Sequence, residues 1–99
     1  MKDDKPKQIQ IQVKTDDTIQ AGVFSNFARI SHTLEEFTLD FLYIQENPPF
    51  GKLQSRVIFT PSHAKRFFKA LEENIRRYEG SHGAIKAPDM PPGDIGFIN

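Results

Sequence analysis

The clearest polar–apolar rhythm in the chain lies near its start. In QIQIQVKT, Ile9, Ile11 and Val13 alternate strictly with Gln8, Gln10, Gln12 and Lys14. A period of two puts successive side chains on opposite faces, which predicts a half-buried strand. DDT then reads as turn chemistry, because Asp and Thr side chains bond nearby backbone. AGVFSNFARISH predicts a second strand with weaker alternation, TLEE a turn, and EFTLDFLYIQ a third strand. ENPPFG is a breaker-rich loop, since two prolines cannot donate to a ladder. KLQSRVIF predicts the fourth strand.

The period then lengthens. Ala64, Phe67, Phe68, Leu71, Ile75 and Tyr78 recur at helical spacing. Thr60 suits the N-cap, Pro61 the first helical turn and Gly80 the stop. Glu72–Arg76 and Glu73–Arg77 are i,i+4 pairs in the favoured orientation. The expected fold is therefore α+β: a four-stranded antiparallel meander followed by one amphipathic helix, β-β-β-β-α. Residues 1–7 form a charged lead-in, 8–80 the domain, and 81–99 a Pro/Gly-rich irregular tail ending in the apolar Ile95, Phe97 and Ile98.

The third and fourth strands carry an internal check. A hairpin centred on Pro48 sets Phe37 opposite Phe59, Leu39 opposite Val57, and Tyr43 opposite Leu53. The same register sets Asp40 opposite Arg56, and a slip of one residue breaks both faces. A charge inside FTLDFLYI needs a partner, and a guanidinium offers a two-pronged one. Asp40 and Arg56 are thus expected as a structural ion pair. The lone helix covers part of one sheet face. The other face mixes Leu42, Ile44 and Ile58 with Thr38, Asp40, Gln54 and Arg56, which points to self-association or ligand binding there.

Composition narrows the functions. Ninety-nine residues with 37% apolar content and nine phenylalanines make one small domain with a modest core. With no cysteine, disulfides and thiolate–metal sites are excluded. Thirteen basic and thirteen acidic residues balance, which disfavours a strongly electrostatic nucleic-acid binder. No apolar run reaches the roughly 18–20 residues needed to span a bilayer, and MKDDKPKQ lacks the apolar stretch of a secretory signal. A cytoplasmic protein without membrane contact is expected.

Candidate chemistry concentrates at TPSHAKRF. His63, Lys65 and Arg66 follow a helix start, where free N–H groups and a positive dipole attract an anion. Pro61 removes one donor there and no glycine-rich loop precedes the helix, so these residues also read simply as a helix start with solvated cations. His32, His63 and His82 lack metal-ligand spacing. No nucleophile elbow, P-loop or dinucleotide fingerprint is present. No catalytic residue, metal or cofactor is therefore assigned, and a non-enzymatic protein is expected.

GVFSNFARISHT, EFTLDF and SRVIFTPSHAKRFFKALEENIRRYE together resemble domain-of-unknown-function family 3467, a family of small, mostly bacterial proteins. The likeness runs from about Gly22 to Glu79. Its most specific parts are Asn26, Ser31-His32, Leu39-Asp40-Phe41, Ser55-Arg56-Val57, Thr60-Pro61 and His63-Ala64-Lys65-Arg66. Ser62 stands where the family usually carries Glu. This resemblance implies an identity and no activity. The β-β-β-β-α order is also similar to one repeat of Pur-alpha and whirly proteins, which pair such units on single-stranded nucleic acid. That analogy is one of fold only. On it, Arg29, Lys52 and Arg56 would track a backbone while Phe24 and Tyr43 stack on bases.

Three functions follow. The first is a homo-oligomeric binding or assembly module, a homodimer or higher, whose further partner the sequence leaves open between another protein and single-stranded nucleic acid. The second is a single-stranded nucleic-acid binder. The third is a small-ligand site near the helix start, which would need a concave pocket.

Overall fold

A computed structural model describes residues 8–87. Among these residues the order is α1 (Asp17–Gln20), β1 (Phe27–His32), β2 (Phe37–Glu46), β3 (Pro49–Phe59) and α2 (Pro61–His82). The chain divides into two compact units, residues 8–32 with 38–58, and residues 33–37 with 59–87. The α+β class, the antiparallel sheet and the C-terminal helix are as expected. The strand count is not: among the described residues the sheet has three strands in the order β1-β2-β3.

The missing strand is QIQIQVKT. No strand is assigned to it, and Ile9, Ile11 and Val13 stand 81%, 78% and 81% exposed. Alternation fixes how side chains would divide between two faces. It does not supply the neighbouring backbone that makes a strand. The expected DDT turn is instead a single helical turn, α1, in which Asp16 O accepts from both Ile19 N and Gln20 N at 2.9 Å. Gly22, at φ 77°, follows it and donates to Ile19 O.

The second predicted strand shrinks to Phe27–His32; just before it a single backbone bond, Asn26 N to Leu42 O at 3.0 Å, is supplemented by side-chain contacts. Asn26 makes a two-way contact with Ile44: its Nδ2 donates to Ile44 O at 2.9 Å, and its Oδ1 accepts from Ile44 N at 2.8 Å. An amide side chain thus does the work of a peptide group at the mouth of the sheet. Ser25 Oγ lies 3.0 Å from both the Phe27 and Leu42 carbonyls, sharing one proton between them.

The β2–β3 hairpin is tighter than the breaker-rich sequence suggested. Only Asn47 and Pro48, joined by a cis peptide bond, separate the strands. Pro49 opens β3, and the first residue of a strand is a position where a missing donor is tolerated. Leu39 and Leu42 are the buried apolar residues among those described, and Asp40 between them is equally buried, at 5% exposure. All three lie on β2, the central strand.

In the second unit, α2 starts as its sequence predicts. Thr60 Oγ1 accepts from His63 N at 3.2 Å, with Pro61 in the first turn. Both i,i+4 pairs form, Arg76–Glu72 at 3.6 Å and Arg77–Glu73 at 3.3 Å. The stop lies later than Gly80. The helix runs on to His82, and Gly83, at φ 91°, donates to Glu79 O. Glu79 also accepts from Ile85 N at 2.9 Å, which offsets the weak propensity of an interior glycine. The expected cluster at Ile95, Phe97 and Ile98, and the lead-in at 1–7, lie outside the described residues. No helix among the described residues is long and apolar enough to cross a membrane.

Candidate functional site

The sheet carries one concentrated piece of electrostatics. Asp40 occupies the middle of β2, and an arginine reaches it from each side. Arg56, from β3, donates Nε to Oδ1 at 2.7 Å and NH2 to Oδ2 at 3.0 Å. Arg29, from β1, donates NH2 to Oδ2 at 3.0 Å. One carboxylate thereby ties all three strands together. Two positive charges face one negative, so the cluster keeps a net charge of +1. The carboxylate is nearly covered, while the Arg56 side chain stays 51% exposed.

Hydrogen bonding from Arg56 lowers the Asp40 carboxyl furthest; burial pushes it the other way, and Arg29 adds to the lowering. The balance brings it from 3.8 to about 2. Arg56 moves upward for the reciprocal reason, its hydrogen bond to Asp40. Neither group exchanges protons near neutrality. The cluster therefore lacks the poised protonation that acid–base chemistry requires.

The sequence pointed to Arg56 as the partner of Asp40 and missed Arg29, which it placed among the cations of a nucleic-acid surface. A signal was present. Thr33 N donates to Glu36 O at 2.9 Å across the TLEE turn. Arg29 lies four residues before Thr33 and Asp40 four residues after Glu36, so counting outward from that bond brings them level.

The other predicted residues scatter. Phe24 and Tyr43 come together with ring centroids 6.2 Å apart and planes tilted by 60°. Gln54, from β3, donates to Phe24 O at 3.0 Å and fixes the backbone beside that pair. Lys52 is exposed on β3. Arg29 and Arg56, the remaining cations of the expected nucleic-acid surface, turn to Asp40. At the helix start His63 meets the Phe59 ring edge-on, at 5.0 Å, and Phe59 also packs 5.9 Å from Phe67. The ring of His63 thus belongs to an aromatic group, and its backbone N–H is already given to Thr60. Lys65 and Arg66 are exposed. No group of three or more His, Cys, Asp or Glu among the described residues is placed to hold a metal ion.

The sequence model of one family, described as protein of unknown function (DUF3467), matches residues 1–87. The chain belongs to that family. No curated protein and no solved structure matches it. The identity implied by Asn26, Asp40, Arg56 and the Thr60–Arg66 helix start is therefore settled at the level of family 3467. The likeness to Pur-alpha and whirly repeats rested on four strands before the helix, and three are present among the described residues.

Proposed function

We propose that the protein is a homo-oligomeric assembly module that acts by binding rather than by chemistry. The observation that carries this reading is the state of α2. Its apolar row recurs at helical spacing over five positions, yet no residue of the helix is buried, and Phe67, Phe68, Leu71, Ile75 and Tyr78 are 38–59% exposed. Small domains already bury a limited share of their surface. A continuous apolar row on a monomer marks an interface. A second copy is the partner always present at equal concentration, and closed dimers are the commonest assemblies. The ionised, proton-inert Asp40 cluster fits a staple within the sheet better than a reaction centre.

The test is sedimentation velocity of the full chain across micromolar concentrations, beside Leu71→Glu. The reading expects wild type above the 11.3 kDa of one chain, with the variant shifted to monomer. Wild type at single-chain mass throughout would overturn it.

Single-stranded nucleic-acid binding is a second reading, supported by the exposed Phe24 ring beside Tyr43 and by the exposed Lys52 of β3. Asp40 holds two of its three cations. Fluorescence anisotropy of labelled single strands at low and near-physiological salt tests it, because phosphate contacts weaken steeply with salt. Saturable, salt-sensitive binding supports this reading, and no binding at low salt removes it.

A further inference from the structure

We infer that residues 8–14 form an exchange arm, which adds as a strand to the β3 edge of a second copy of this chain. The inference rests on the self-association proposed above and names a contact that makes it. Two independent features carry it. The first is the arm: its strict alternation is that of a half-buried strand, but Ile9, Ile11 and Val13 are about four-fifths exposed and no strand is assigned there. The second is the edge. β3 is eleven residues long and lies at the outside of the sheet. An edge of that length presents a row of backbone donors and acceptors that templates a further strand.

The two fit each other in length and in side-chain pattern. Seven residues of arm fall within eleven of edge, whereas β1, the opposite edge, has six. Within β3 the half-exposed Leu53 and Val57 share one face with Ser55, while Lys52, Gln54 and Arg56 form the polar middle of the other, which Phe50 and Ile58 close at its two ends. Along the arm, Ile9, Ile11 and Val13 alternate with Gln8, Gln10 and Gln12. Pairing in one register sets apolar beside apolar and glutamine beside the polar row; a slip of one residue reverses both. Addition of an extended segment to a sheet edge is an established recognition mode, in which backbone bonds give affinity and alternate side chains give specificity. A two-fold pair exchanges two arms in one association.

The experiment combines sedimentation velocity with hydrogen exchange of the full chain, on wild type and Ile11→Pro. Proline removes a ladder donor, and Ile11 is exposed, so the sheet of the variant should survive; an unchanged urea midpoint at high dilution checks this. The expected result is a dissociation constant raised about tenfold or more. Alternate amides between Gln8 and Lys14 should also be protected, only at concentrations where the wild type is associated. Equal association of wild type and variant, with freely exchanging arm amides, overturns the arm and leaves the assembly reading standing. Arm protection that persists in the monomer means pairing within one chain and also overturns it. A wild type that never associates removes both.

Discussion

Arg56 grips Asp40 with two hydrogen bonds, at 2.7 and 3.0 Å, while Arg29 makes one to the same carboxylate, at 3.0 Å. The consequences of losing each member differ. Asp40→Asn keeps the shape but leaves two guanidinium groups facing each other without their anion. Either arginine changed to Gln leaves a neutral pair. The expected order of destabilisation is Asp40→Asn, then Arg56→Gln, then Arg29→Gln. Urea midpoints of the three variants check it, and an Arg29→Gln midpoint below that of Asp40→Asn would refute the ranking.

The same cluster sets a dependence on acid. Asp40 titrates near 3.8 in an unfolded chain and about 2 in the folded one. Between those values the unfolded chain binds more protons, so stability falls as pH falls. The contribution of Asp40 is complete above about pH 4 and gone below about pH 2. Wild type and Asp40→Asn should therefore converge in stability across that window and keep a constant separation from pH 5 to 7. Urea midpoints taken through the range read this directly; a separation unchanged down to pH 2 contradicts it.

Asn26 serves as both donor and acceptor to one residue of β2. Asn26→Ala removes both bonds, and water satisfies the exposed Ile44 groups in part. The expected loss is about 1–2 kcal/mol. Asn26→Asp keeps the acceptor but turns a carboxylate towards the Ile44 carbonyl, so it should not restore stability. Chemical denaturation of both variants, together with hydrogen exchange at Ile44, tests the double contact.

Two glycines near the end of α2 should respond in opposite directions. Gly80 is inside the helix, and a Cβ there meets nothing within 4 Å. Gly80→Ala should stabilise by about 0.5–1 kcal/mol through helix propensity. At Gly83, φ is +91°, where a side chain is strained even in open space. Gly83→Ala should destabilise by roughly 1 kcal/mol. Thermal melts distinguish them, and a destabilising Gly80→Ala would move the helix stop back to where the sequence first put it.

The sequence was most informative where two signals constrained the same residue. Asp40 was out of place in an apolar strand, and hairpin parity brought Arg56 to it; either alone would have been weak. Thr60-Pro61 and the Phe67–Tyr78 row likewise agree on one helix. Reading failed where a single signal stood alone. Alternation at Ile9–Val13 says nothing about which backbone will pair with it. Gly80 marks a stop only if the next residues cannot continue, and Ser81 and His82 can. Arg29 stays hidden unless the TLEE turn is counted outward as a register, because a turn by itself marks only a break between strands.

The shared carboxylate also constrains the paths by which this sheet can change over generations. A first substitution at Asp40 opposes two like charges at once. A first substitution at Arg29 leaves an intact bidentate pair, and a second at Asp40 then strands only Arg56, whose half-exposed side chain water can solvate. Descent away from the cluster is thus ordered, with Arg29 the natural first departure and the half-exposed Arg56 the last.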